Sequence, residues 1–380
     1  MRAPRAGLNP QPRGRVVAPV AAPVVAPDLR VRRIANRPTA RVCGGLLTVA
    51  VAVAGCRSTP GPIFPAITPS IVWPGPPDRP RVRYIGELRG EADLGVKPDG
   101  WAAVRAVLAG LPPQGAFSRP AAVAVAGERV FVADTGLGLV HLLDLETRRY
   151  RAIAGLASDP LRVPIDLTIA NGDNLIVVDR GRAAIDLFDL DGEWQATKRW
   201  PELAAPTAAA WDAEQDVIWL ADAATHACFA CENLDKLTRR IGKRGSAPGE
   251  FNFPSAVAVH PSAGLAVADA MNFRVQVFDH AGVPTVVFGQ KGDAAGDFAR
   301  PRGVAIDSEG HVYVLDNQFE NVQIFDKAGR LLMAFGGAGR GPGQFSLPSG
   351  ISIDDRDRIW IADSYNHRVQ VFQYLPEEAS

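Results

Sequence analysis

From about residue 120 to the C-terminus the chain repeats one pattern. Four to six apolar residues, rich in Val and Ile, are closed by Asp, Asn or Gly, as in SAVAVH (255–260), LAVAD (265–269), RVQVFD (274–279) and TVVFG (285–289). Runs this short, with turn residues at both ends, read as β-strands rather than helices. Long amphipathic runs of helical period are almost absent, while Gly (37) and Pro (31) supply the turns. The pattern predicts an all-β fold.

The pattern also has a period. The Asp that ends each VAD-like run recurs as Asp134, Asp179, Asp222, Asp269, Asp316 and Asp363, and a proline opens each unit: Pro120, Pro164, Pro206, Pro254, Pro301 and Pro348. Six units of about 46 residues, each with four strands, predict a six-bladed β-propeller. In the fourth to sixth units, the stretches PRGVAIDSEGHVYVLD (301–316), NFRVQVF (272–278) and GRGPGQF (339–345) resemble the NHL repeat. The resemblance covers about 81–380 and is strongest in the last three blades. Blades 2 and 3 depart from it: DRGRAAIDLFD (179–189) and DAATHACFACE (222–232) lack the Asn-x-Arg.

The sixth unit supplies SGISID, RIWIAD and RVQVF and then runs out of strands. Its fourth strand is expected from RVRYIG at 81–86, with Ile85-Gly86 matched to Phe288-Gly289. Such a strand would close the ring and remove its free edges. The ring is expected to be monomeric.

Charge separates the leader from this body. Residues 1–55 hold nine Arg and one acid, Asp28; the remainder has 32 basic and 40 acidic residues, about −8. An acidic body is a poor match for a phosphate backbone, so nucleic acid is not expected as a partner. After Arg41 an apolar run of about a dozen residues leads to Cys56, too short to span a bilayer but suited to a signal peptide. Val53-Ala54-Gly55-Cys56 resembles the lipobox of bacterial lipoproteins, which implies cleavage before Cys56 and its acylation. Arg57, where that family's inner-membrane retention signal has Asp, favours an outer membrane. The length of the leader points to translation starting near Val31. The segment 56–80 carries eight prolines after its Cys and reads as an extended tether.

Between Gly86 and Pro120 the connector is longer than elsewhere, and PDGWAAVRAVLAGLPP (98–113) reads as one short inserted helix within about 87–111. Asp99 is its N-cap, Trp101, Val104 and Leu108 form one side, and Gly110 with Pro112 is the stop. Propeller topology puts this insertion, the residues after each proline and the turns between second and third strands on one face, here called upper. Loops on a rigid scaffold are where function concentrates. The candidate binding face comprises Trp101, Asp166, Arg180, Arg182, Arg302, Asn317, Gln318, Tyr365, Asn366 and His367.

Other groups carry blander expectations. The six repeated Asp are expected to accept turn N–H groups. Cys228 and Cys231, three apart in a strand, should point to opposite faces as two thiols rather than a disulfide. No second Cys pair completes a zinc site, and Glu232 stands where a haem-attachment motif needs His. None of the residues after the prolines is His, unlike the zinc site of the related peptidyl-hydroxyglycine lyase, and the inner strands lack the Glu, Asp and Asn set of calcium lactonase propellers. No cofactor and no catalytic residue is expected. The reading is a membrane-anchored extracytoplasmic lipoprotein that binds an envelope protein or glycan. The alternative is a lyase or lactonase with a divalent metal.

Overall fold

The structure, a computed structural model, describes residues 61–95 and 115–376. The inserted helix expected around 98–113, Trp101, the leader and Cys56 lie outside these residues. Six antiparallel sheets form the six blades of a propeller ring. Blade 1 consists of Pro120–Ala126, Arg129–Asp134, Leu139–Asp144 and Arg149–Ile153, and blade 2 of Pro164–Ala170, Asn174–Asp179, Ala184–Asp189 and Trp194–Lys198. Blade 3 has Pro206–Asp212, Val217–Asp222, Ala227–Glu232 and Lys236–Ile241, and blade 4 has Pro254–His260, Gly264–Asp269, Arg274–Phe278 and Pro284–Phe288. Blade 5 has Pro301–Ile306, Val312–Asp316, Asn321–Phe325 and Leu331–Gly336. Blade 6 combines Gly350–Ile353, Arg358–Asp363 and Arg368–Tyr374 with Val82–Leu88 from the other end of the chain.

Each second strand is buried along nearly its whole length, which is why these strands read as unbroken apolar runs. Their two faces feed the cores between successive blades. In blade 4, Val267 belongs to the core cluster shared with blade 3, and its neighbours Ala266 and Ala268 to the cluster shared with blade 5. A second repeated device seals the connectors. Gly242, Gly289 and Gly336 adopt φ of 85°, 86° and 88°, and the rings of Phe251, Phe298 and Phe345 sit where a Cβ would be. Only glycine meets both demands.

The closing strand is present, but its register differs from the sequence expectation. Leu88, not Ile85, pairs with Val369, the place Phe288 takes opposite Val275 in blade 4. A bulge between Tyr84 and Gly86 shifts the pairing, and the strand runs on to Leu88, which is fully buried. The insertion therefore starts after Leu88 rather than at about 87.

The proline-rich segment also departs from the expected tether. From residue 61 it packs along the outside of blade 6. Val72–Trp73 adds a fifth strand beside Val82–Leu88. Trp73 packs 5.9 Å from Phe335 and 5.8 Å from Phe372, and Phe64 lies 6.2 Å from Trp360. Five apolar anchors in this stretch (Ile63, Phe64, Ile67, Ile71 and Trp73) find core clusters to join. The prolines kept this invisible in the sequence, because they suppress the alternation by which a strand is recognised.

Candidate functional site

Hydrogen bonds fix which loops share a face. The Asp at the end of each second strand reaches the connector that precedes its own blade. Asp269 accepts from the Asn252 N–H at 2.6 Å, and Asp363 from the Ser346 N–H at 2.7 Å. In blades 4 and 6 the Asp is the hub of a repeated staple. Asp363 also accepts from Asn366 Nδ2 (2.8 Å), Arg368 Nε (2.8 Å) and Gln370 Nε2 (3.1 Å), and Arg368 donates to the Gly341 and Gln344 carbonyls. Asp269 does the same with Asn272, Arg274 and Gln276.

Blades 1 to 3 fill the staple differently. His141 takes the Gln position in blade 1, between Asp134 and the Tyr150 hydroxyl. Arg182 in blade 2 is buried among Asp179, Asp186 and Asp159. In blade 3 Thr225 donates to Asp222 through both its N–H and its hydroxyl.

This accounting sorts the candidate binding residues. Arg182 and Asn366 are buried in staples, and Asn317 donates to the Pro348 carbonyl at 2.7 Å. His367 hydrogen-bonds the Ser118 carbonyl while remaining exposed. Arg180, Gln318 and Tyr365 face solvent, with the Arg119 guanidinium 6.0 Å from the Tyr365 ring. Asp166 and Arg302 line the central channel, a cavity of about 240 Å³ bounded by the first strands of the blades.

The channel pair breaks a rule kept by the rest of the ring. The residues two after each proline are Ala122, Asp166, Ala208, Ala256, Gly303 and Gly350; only blade 2 departs from a small side chain. The residues directly after the proline include Thr207, Ser255 and Ser349, whose hydroxyls tie each blade to the next through the Pro254, Pro301 and Pro120 carbonyls. Blade 5 has Arg302 there, and Asn317 carries the tie instead. The Arg302 guanidinium makes no hydrogen bond or ion pair to any described residue.

Electrostatics at the mouth follow from this placement. Burial raises the Asp166 carboxyl to about 7, opposed by N–H donation from Ala209 (2.8 Å) and Leu167 and by the charge of Arg302. The carboxylate is hemmed in by protein yet keeps partial solvent exposure through the channel. Burial, and then the like charges of Arg300 and Arg180, push Arg302 below the usual arginine value, while Asp166 pulls the other way.

Two features of the upper face were not legible from motifs. Five exposed large apolar side chains sit in its loops: Leu137, Val163, Phe253, Met271 and Tyr365. Its described loops hold 11 Lys or Arg against eight Asp or Glu, whereas the turns of the lower face hold four against 15. The acidic body is polarised, with its negative charge below. The signal was in the sequence, but it emerges only when loops are sorted by face.

The remaining groups are structural. Cys228 and Cys231 are free and buried, one in the core between blades 3 and 4 and the other in that between blades 2 and 3. Burial pushes both thiols up, Cys231 to about 12. Among the described residues, no three His, Cys, Asp or Glu side chains group as metal ligands.

Comparison with known proteins agrees with this architecture. Residues 298–325 and 345–372 match the NHL repeat. No curated protein matches the chain in sequence. Among solved structures, a streptogramin B lyase is similar at 12% identity and a TM-score of 0.52, covering 68% of this chain and 94% of its own. An auxiliary nutrient binding protein from Bacteroides thetaiotaomicron is similar at 13% identity and a TM-score of 0.53, over 68% of this chain and 69% of its own. One from Bacteroides ovatus reaches 14% and 0.53, over 70% and 71%. At these identities the likeness is one of fold. The chain carries NHL repeats on a six-bladed β-propeller.

Proposed function

We propose that the protein is an extracytoplasmic binding module, held to the envelope by a lipid on Cys56, whose upper face takes a protein or glycan partner. The observation that carries this reading is the upper face itself. It carries exposed apolar side chains and loops with more Lys and Arg than Asp and Glu, on the same face as the channel mouth where charged residues replace small side chains of the ring. Such side chains, exposed on rigid loops, are the usual mark of an interaction surface. The anchor rests on the leader sequence: basic region, apolar run and Val-Ala-Gly-Cys. The nutrient-binding neighbours are consistent with a binding role but share only the fold.

The test is crosslinking in intact cells followed by affinity purification and mass spectrometry. The control is a variant in which the insertion after Leu88 is trimmed to a short connector. A partner lost with the insertion supports the binding role and locates its face. No reproducible partner overturns it. Fatty-acid labelling that survives Cys56→Ala would remove the anchor.

One observation favours a second reading, a lyase-type enzyme. Asp166 is a carboxyl tuned to about 7 in a channel mouth, suited to proton transfer near neutral pH. Turnover of a cyclic ester or peptide substrate that Asp166→Asn abolishes would establish that reading over the first.

A further inference from the structure

We infer that the channel mouth is a carboxylate-binding subsite, in which Arg302 receives an acidic side chain or chain terminus of a protein partner. This rests on the binding role proposed above and names the chemistry of the partner.

Three observations converge. First, Arg302 occupies the ring position that in blades 3, 4 and 6 holds a hydroxyl tying one blade to the next, and Asn317 has taken over that tie. The guanidinium is left half-buried in the open mouth of the channel, with no hydrogen-bond partner among the described residues. Its five N–H donors, unmatched by any described residue, are open to a ligand entering the mouth. A carboxylate matches its planar fork with two parallel bonds.

Second, the surroundings favour an anion. Arg180 and Arg300 add like charge to Arg302, and Asp166 is the one carboxylate opposing them there. The lower face, dense in carboxylates, would turn an acidic partner away and leave the upper face as its landing side.

Third, size and rim favour a peptide. The cavity of about 240 Å³ falls below the roughly 300–1,000 Å³ that encloses a drug-sized ligand, so it admits an end group rather than a whole molecule. Of the five exposed large apolar side chains on the same face, Leu137, Val163 and Met271 are aliphatic surfaces suited to peptide flanks, while Phe253 and Tyr365 carry rings, as does Trp211 in the channel lining.

The experiment passes an immobilised peptide library over the purified full-length protein, with each sequence present as an Asp/Glu form, an Asn/Gln form and a C-terminally amidated form. Oligogalacturonate serves as the acidic glycan. The proteins compared are wild type, Arg302→Gln, Arg302→Lys and the lower-face control Lys327→Ala, each first checked for an unchanged thermal melt. The expected result is retention of carboxylate-bearing peptides by wild type and Lys327→Ala, at least tenfold weaker in Arg302→Gln and partly restored in Arg302→Lys.

Equal retention by Arg302→Gln, or of acidic and neutral forms alike, would overturn the subsite. Retention of oligogalacturonate but no peptide would overturn the protein partner while leaving the subsite. No retention of any anionic probe would also overturn the inference. The binding role would then stand or fall on the in-cell crosslinks, where a partner captured equally by Arg302→Gln keeps it.

Discussion

The Arg368 guanidinium donates to the Glu87 carboxylate at 2.6 Å, across 281 residues of chain. Arg368 belongs to the last strand in sequence and Glu87 to the first strand of the ring, so this bond lies in the seam that closes the propeller. The same arginine anchors the staple of Asp363 and two connector carbonyls. One side chain therefore links ring closure to the last connector.

Weakening that seam should cost more than its single contacts suggest. Leu88→Ala removes a fully buried side chain and is expected to lower stability by about 3 kcal/mol, measured by urea denaturation. Removal of residues 81–90 leaves Arg368–Tyr374 with a bare edge and should yield an aggregating product. A soluble, cooperatively melting truncation would contradict closure by this strand.

The strap at 61–80 should be a working part of the fold. Trp73→Ala is expected to cost about 2 kcal/mol, since the ring is half-buried against two Phe rings. Limited proteolysis should then cut between residues 61 and 80 faster than in wild type. Unchanged cleavage rates would return this segment to the status of a free tether.

Asp166 should make stability depend on pH in the less common direction. Its folded pKa is raised to about 7, so between about 4 and 7 the folded state holds a proton that the unfolded state has released. Stability from this group is full below about pH 4 and is lost as pH rises through 7. The N–H groups of Ala209 and Leu167 and the charge of Arg302 oppose the shift but do not cancel it. Asp166→Asn is expected to flatten the melting temperature between pH 5 and 8 and to raise it at pH 8. A wild-type curve with no slope that the substitution removes would refute this.

The cysteines should be silent. Cys228 and Cys231 are fully buried in separate cores, and their raised pKa values disfavour the reactive thiolate. The folded protein is expected to leave both unmodified by a thiol reagent until denatured, and non-reducing peptide mapping should find no bridge between them.

His141 tests how far the staple is interchangeable. It stands where Gln276 and Gln370 stand in blades 4 and 6, and it meets its Asp at 3.3 Å as Gln276 does. His141→Gln should stay within about 1 kcal/mol of wild type, whereas His141→Ala leaves the Tyr150 hydroxyl and Asp134 short of a partner and should cost about 1–3 kcal/mol. Equal melting temperatures for the two variants would show that the position carries no staple.

Repeat count, blade composition and closure by an N-terminal strand were all set by the sequence alone. Each depends on local alternation and on spacing, which do not require knowing what touches what. The split of Cys228 and Cys231 between faces was legible for the same reason, since strand geometry alone puts residues three apart on opposite sides. Only the tertiary structure decided the rest. The closing register moved to Leu88 because a bulge shifts pairing without leaving a mark in the pattern. The strap emerged from apolar residues scattered among prolines, which have meaning only once blade 6 exists to receive them. Among the candidate binding residues, sequence could not separate Asn366, consumed by a staple, from Arg302, left in the channel without a partner among the described residues. Both are polar residues in repeat positions, and what distinguishes them is a count of donors and acceptors that exists only in three dimensions.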